Sequence, residues 1–487
     1  MFMAILDIQV VVTSLAVIEN ALGIGADRMS WVQTTYLIAE VISIPLTGLL
    51  IRIFTIRLLF AGAILVFTLA SIGCAASFDF YSLIIFRVLQ GFSGGVLIPL
   101  VFSAIFLLFE KGFNQTVATM IGGLLAVLAP TLGPLTGGWI TENLSWHWLF
   151  LINVVPGLIA LVVALITLPK GRTTLSLFRT LDWISLVYIS AGLTALLIGL
   201  KQAPSDGWFS PLVFSLFALV AACTFLTLRR PAPAVAFHLL RNRNLAFGCS
   251  LSFILGLGLF GSVYLMPLFL AFVHAMTPLQ IGMVIMVTGV AQLVTAPLTV
   301  QVDRFFDARL LSAIGYAAFA VGLFMSAFAT INTGYNEMFW PQVMRGSFLA
   351  LCILPSIRFA LGFIPLENIA DASGLFNVSR NLGGAIGIAL IDTIVFTRGP
   401  EHVNKIMDLL KSDPAKAADV LGMTAADLPS QEDPTGILAI MDAIQQASLT
   451  AAINEAWLML SLATGTALLI LLFLGPVPAP DTSKNAT

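Results

Sequence analysis

The sequence predicts an all-α integral membrane protein, and three observations carry that prediction. Hydrophobic residues make up 59% of the 487-residue chain and charged residues only 10%, where soluble domains carry about 25% charge. The apolar residues gather in fourteen runs, and a helix needs roughly 20 such residues to cross a hydrocarbon core. Lys and Arg collect between alternate runs.

The runs fall near residues 1–22, 30–50, 58–76, 80–107, 115–139, 148–168, 182–200, 211–228, 246–272, 278–300, 310–330, 338–362, 374–396 and 453–474. They are too long and too uniformly apolar for barrel strands, so helices must satisfy the backbone in lipid. No basic stretch precedes the first run and no cleavage site follows it, so it reads as a retained helix rather than a signal peptide. Its position at Met1 suggests a short or trimmed N-terminal tail. Most connections are a few residues long, so successive helices run antiparallel.

With the N-terminus inside, thirteen basic residues fall in inner segments: Arg52, Arg57, Lys111, Lys170, Arg172, Arg179, Arg229, Arg230, Arg241, Arg243, Arg304, Arg309 and Lys484. The short outer loops would hold only Arg28 and Lys201. That asymmetry predicts an N-in, C-in topology. Residues 397–452 form the one sizeable hydrophilic segment, on the outer face. Its ILAIMDAIQQASLTAAI run can form one or two amphipathic helices, as a docking hairpin or as a solvated insertion.

Composition also excludes chemistry. Cys74, Cys223, Cys249 and Cys352 lie in apolar runs and read as packing residues. The four histidines are scattered, and no Gly-rich phosphate loop precedes a Lys-Ser/Thr. The expectation is therefore no metal, no cofactor, no ATP, no catalytic constellation and no nucleic acid.

An internal repeat organises the runs. IPLTGLLIRIFTIRLL (44–59) aligns with APLTVQVDRFFDARLL (296–311) at an offset of 252, and RVLQGFSGGVLIP with QVMRGSFLALCIL at 255. The shift is eight runs, which divides the chain into a six-helix bundle (1–168), two inserted helices with flanking loops (169–245) and a second six-helix bundle with the 397–452 loop (246–487).

Ionisable residues inside apolar runs cost roughly 2.5–3.5 kcal/mol each on insertion scales, so each requires an explanation. Asp7, Glu40, Arg87, Arg345, Arg358, Arg380 and Asp392 are of this kind. Gln33, Tyr36, Glu40, Ser43 and Thr47 recur at helical spacing as one polar stripe, expected to face a watery cavity. Glu40 would carry a proton, or would only glue helices. Asp7 and Arg87 are potential partners in neighbouring helices. Arg380 and Asp392 lie twelve residues apart, about 18 Å along one helix, and cannot pair. Asn377, Asn381 and Gly384 share a face there. Asp392 is a candidate second protonation or cation site, and Arg345 and Arg358 read as structural. In LAPTLGPLTGGWI, Gly133, Gly137 and Gly138 permit close backbone approach, and Pro130 and Pro134 bend the helix.

These motifs resemble a known family. LDIQVVV (6–12), RVLQGFSGG (87–95) and GPLTGGW (133–139) look like the helix-1, helix-4 and helix-5 motifs of the drug:proton antiporter-2 branch of the major facilitator superfamily. WHWLFLINVVPG (146–157), WPQVMRG (340–346) and SRNLGGAIG (379–387) also resemble stretches of its fourteen-helix EmrB/QacA-type exporters. The resemblance implies the major facilitator fold, two pseudosymmetric six-helix bundles plus two inserted helices, alternating access, and proton-driven export of small hydrophobic or cationic compounds. It would make Arg87 the helix-4 coupling arginine, Asp7 the helix-1 acid, and Gly133, Pro134, Gly137 and Gly138 the antiporter motif. Substrate would sit between the bundles near Gln33, Tyr36, Asn377 and Asn381. Members of this type work with a periplasmic adaptor and an outer-membrane channel, a partner for 397–452, and reside in the bacterial inner membrane.

The chain departs from the pattern in two places. The superfamily's 2–3 loop expects an acid where this chain has Arg52 and a glycine where it has Thr55. The gating charges would then be Arg52 and Arg57 on one side, with Asp303 and Arg304 in the 10–11 loop partly retaining the pattern. The Thr-Ile-Val-Asn stretch after the helix-1 acid is replaced by Ile8-Gln9-Val10-Val11. The rival function is a dedicated exporter of one metabolite, lipid or siderophore on the same scaffold.

Overall fold

The computed structural model describes residues 2–29, 31–109, 113–171, 173–174, 176, 182–230, 237–303, 305–362, 364–365, 368–424, 428–429 and 434–474. All regular structure among them is helical. Helix α1 is a bent pair, Phe2–Val12 and Leu15–Leu22, with 67° between its parts. Trp31–Ala75 is one helical stretch broken at Thr55, giving α2 (31–54) and α3 (56–75). Then come α4 (Phe80–Leu108), α5 (Phe113–Asn143), α6 (Trp148–Thr167), α7 (Trp183–Asp206) and α8 (Pro211–Leu228). The remainder is α9 (Arg243–Phe272), α10 (Pro278–Val302), α11 (Ala308–Phe328), α12 (Tyr335–Leu361), α13 (Ile369–Ser412) and α14 (Met441–Leu472).

Among the described residues, each of the fourteen predicted runs lies largely on helix. Among the described residues, eleven helices are long and apolar enough to cross a membrane, or twelve if the bent pair α1 counts as one crossing. Runs 30–50 and 115–139 are helical too, but some of their side chains lie outside the described residues. The exterior is apolar, with Leu69, Ile85, Ile159, Phe214, Val294 and Leu462 all more than half exposed. Polar groups point inward, the arrangement lipid demands.

Two segments differ from expectation. The run 374–396 continues far past its predicted end to Ser412, because TRGPEHVNKIMDLLKS keeps helical spacing after the apolar residues stop. With Pro414–Leu421, Pro434–Ala439 and the early turns of α14 it closes a small apolar core of Ile406, Leu410, Leu421 and Ile444. The hydrophilic segment is thus largely a helical hairpin. Lys201 does not lie in an outer loop. It is inside α7 and 7% exposed.

The segments matched in sequence make matched contacts. A Cβ on Gly91 of α4 would collide with the backbone of Tyr36 in α2, and one on Gly346 of α12 with the backbone of Thr288 in α10. Tyr36 and Thr288 stand at the 252 offset, Gly91 and Gly346 at 255. Arg57 donates to the Leu165 carbonyl at the end of α6. Its counterpart Arg309 donates to the Leu474 carbonyl just past α14, at 2.8 Å. A cation at a helix C-terminus satisfies an orphan carbonyl and meets the negative end of the dipole. The side chain of Arg52 and the whole of Arg304, both expected in the gating loops, lie outside the described residues.

Thr55, where the family pattern has glycine, adopts φ 69° and ψ 151°. A β-branched side chain is strained there, in a region otherwise left to glycine, at a cost of about 1–3 kcal/mol. Thr55→Gly is expected to raise the thermal midpoint of the detergent-solubilised protein. A midpoint that falls would contradict the strain.

Candidate functional site

The first bundle encloses a wholly buried polar network around Asp7 and Arg87. Asp7 lies on α1 and Arg87 on α4, both 0% exposed, with Arg87 Nη1 2.5 Å from Asp7 Oδ2. Three groups the sequence reading left unassigned complete the cage. Gln90 Nε2 donates to Asp7 Oδ1 at 2.8 Å and Asn153 Nδ2 at 2.6 Å. Gln90 Oε1 accepts from Arg87 Nη1 at 2.8 Å, and Gln90 Nε2 also reaches the Ser71 hydroxyl. Arg87 Nε donates to the Val32 carbonyl of α2, and the guanidinium lies 4.5 Å from the Tyr36 ring centre. Charge-assisted bonds of this kind compensate desolvation only when nearly every partner is present. Gln90 was detectable as the i+3 neighbour of Arg87. Asn153 had only its place in the WHWLFLINVVPG motif.

Glu40 is separate from that cage. It projects from α2 toward α13 of the second bundle, where Asn381 Nδ2 donates to its Oε1 at 3.2 Å. Its Oε2 has no partner among the described residues, and Glu40 is 5% exposed. Arg380, next to Asn381, bears on Glu40 electrostatically and donates to Asn377 at 2.8 Å. Four predicted residues, Glu40, Asn377, Arg380 and Asn381, thus meet across the seam between bundles.

Two members of the polar stripe, Tyr36 and Ser43, pack against helix rather than facing a cavity. Tyr36 and Ser43 are fully buried, packed against Gly94 and Gly95 of α4. Tyr36 donates to the Ala4 carbonyl at 3.2 Å and Ser43 to the carbonyl of Glu40 at 3.0 Å. Periodicity identified a buried face, and at Tyr36 and Ser43 the small residues of α4 bring its backbone close against it. Gln33 is 1% exposed and neither amide atom has a partner among the described residues. The two cavities described, of about 370 and 660 Å³, are lined by residues other than Gln33, Tyr36, Asn377 and Asn381.

Asp392 is neither free nor paired with Arg380. Lys201 Nζ of α7 lies 2.5 Å from Asp392 Oδ2, and the Tyr264 hydroxyl of α9 donates to Oδ1 at 2.8 Å. The antiporter-motif residues form two contacts. Gly133 and Gly137 meet Gln9 and Val10 of α1, while Gly138 meets the Pro278–Leu279 backbone of α10 and Pro134 meets Gly282. The Leu279 amide donates to Glu142 Oε1 at 3.2 Å, joining the bundles again at that end. Of the expected gating residues, Asp303 pairs with Arg358 at 3.0 Å, linking the ends of α10 and α12. Arg345 lies under Trp457, 4.8 Å from its ring, with Nε on the Pro341 carbonyl. The Asp303–Arg358 and Arg345–Trp457 contacts hold helices together.

A repeated helical bundle that crosses the membrane, with acids buried inside one half and at the seam between halves, has the architecture of a secondary transporter. Residues 1–388 match the family model described as Major Facilitator Superfamily. The chain is 35% identical over 410 residues to the colistin resistance protein EmrB of Acinetobacter baumannii, covering 83% of this chain and 80% of that one. It is 31% identical over 411 residues to the multidrug export protein EmrB of Escherichia coli K12, covering 82% and 79%. The partially occluded, inward-open structure of the xylose transporter XylE from E. coli superposes with a TM-score of 0.60 at 14% identity, covering 98% and 95%. The chain therefore belongs to the major facilitator superfamily, on its EmrB/QacA-type drug:proton antiporter branch. It is a multi-pass protein of the bacterial inner membrane.

Removing one member of a buried ion pair is costlier than removing both. Asp7→Ala should lower stability by about 3–5 kcal/mol, whereas Asp7→Ala with Arg87→Met should recover most of the loss. Thermal unfolding of the three proteins in detergent checks this. Equal losses in the single and double variants would show that Arg87 does not depend on Asp7.

Proposed function

We propose that the protein is a proton-coupled secondary exporter of small hydrophobic or cationic compounds, working by alternating access between two bundles. The observation that carries this reading is Glu40. It is a buried carboxyl on the first bundle, bonded to Asn381 of the second and within electrostatic reach of Arg380. Protonation removes the charge that Arg380 and Asn381 hold across the seam, which weakens contact between the halves. Deprotonation restores it. Asp7, by contrast, is fully engaged by Arg87, Gln90 and Asn153, which suits it to positioning Arg87.

The relatives named for multidrug export and colistin resistance support a broad substrate range. The amide of Gln33, which has no partner among the described residues, and the Asn377–Asn381 face supply polar groups for a substrate entering the seam. Fourteen crossings with both termini inside fit the basic-residue distribution and place the 397–452 hairpin outside. There it would meet a periplasmic adaptor and outer-membrane channel. The driving force is the proton gradient alone, with no cofactor and no catalysis.

Glu40→Gln is expected to cut gradient-driven ethidium transport in proteoliposomes on the order of 10- to 100-fold, the size of a few kcal/mol of coupling. Gradient-independent ethidium exchange should persist. Full gradient-driven transport by the variant rejects Glu40 as the coupling acid. A panel of unrelated cations in the same vesicles separates a multidrug exporter from a dedicated one, since the latter responds to a single compound.

A further inference from the structure

The inserted helices α7 and α8 are held asymmetrically. Toward the second bundle, α7 carries the Lys201–Asp392 ion pair, whose side chains are 6% and 5% exposed. The same carboxylate accepts from Tyr264 of α9, so three helices converge on one buried acid. At the other end of α7, Ile189 packs on the cluster of Leu245, Cys249, Ala360, Leu375 and Phe376, all of the second bundle. The pair α7–α8 is itself closed by Arg230, which grips Asp182 at the start of α7 through two 2.7 Å bonds. That grip holds the Asp182 carboxyl below the usual carboxylate range.

Toward the first bundle, the middle of α7 meets α2 through apolar side chains, while its outer end shares a polar cavity of about 370 Å³ with Arg28, Trp31 and Tyr81. Leu197 sits between Ile38 of α2 and Ala385 of α13. Further along α2, Leu46 is the one α2 residue, among the described residues, on a cavity of about 660 Å³ otherwise walled by α7 and α8. An apolar, loosely filled face slides at little cost, whereas separating a buried ion pair leaves both charges uncompensated.

We infer that Lys201 ties the inserted helices to the second bundle, so that they travel with it as one body and slide along α2. Lys201 is then a positioning residue. It fixes Asp392 in place and makes the insertion part of the moving half, rather than a spacer between halves. The inference rests on the transport reading only in requiring that the halves move.

The test uses the full-length chain in nanodiscs, with native cysteines replaced and spin labels at Phe78→Cys (first bundle), Leu212→Cys (α8) and Thr397→Cys (second bundle). Pulsed electron resonance should give one narrow distance distribution for 212–397 and a broad or multiple one for 212–78. Lys201→Gln should broaden 212–397, and the swap Lys201→Asp with Asp392→Lys should narrow it again. A 212–397 distribution as broad as 212–78 overturns the inference, as does one that Lys201→Gln leaves unchanged. A single narrow 78–397 distribution would instead defeat alternating access, with the Lys201→Gln comparison still deciding the tether.

Discussion

A guanidinium surrounded by helices and lipid must find its counter-charge and hydrogen bonds inside the protein. Arg87 meets that constraint with Asp7, Gln90 and the Val32 carbonyl, and the architecture of the first bundle follows from it. Helix α1 must bring an acid to α4, α6 must bring Asn153, and α2 must approach closely enough to offer a carbonyl and the Tyr36 ring. The last requirement explains the glycines of α4, since any Cβ at Gly91 or Gly95 would push α2 away. Close packing and charge satisfaction are thus one device. Small residues create the proximity, and the polar network turns proximity into specificity.

The second bundle repeats the geometry without the acid. The aligned stretches place Arg87 and Gln90 opposite Gln342 and Arg345, so the two residue types have exchanged places. Gln342 accepts from Thr288 at 3.0 Å, and Arg345 turns toward Trp457. A cation over an aromatic face is a weaker remedy than a carboxylate. The halves therefore share a scaffold and differ in electrostatics, which leaves the acid of the seam, Glu40, on the first half alone.

Much of the fold was legible in one dimension because the membrane reduces the problem to counting apolar runs and basic loops. The repeat was legible for the same reason that it exists. Matched contacts such as Gly91 with Tyr36 and Gly346 with Thr288 keep the glycine in both halves. Partnership was legible for Asp7 and Arg87 and not for the other buried acids. Asn381 lies 341 residues from Glu40, and Lys201 lies 191 from Asp392. No spacing rule reaches that far. Lys201 was misplaced because its apolar run ends at Leu200, where KQAPSDG reads as a turn, yet the helix carries on to Asp206. The polar stripe of α2 was found correctly, but what faces it depends on α4.

The continuity of α13 has a mechanical corollary. Its 44 residues run without a break from one side of the bundle to Ser412, and the part beyond residue 396 is about 24 Å long at the rise of an α-helix. Braced against α14 by the Arg398–Glu455 pair, it is a rigid arm rather than a tethered loop. A rocking rotation on the order of 15° carries its tip roughly 6 Å further than its root. The outer hairpin is in this sense a lever, and a body resting on it would feel each stroke of the half beneath it amplified.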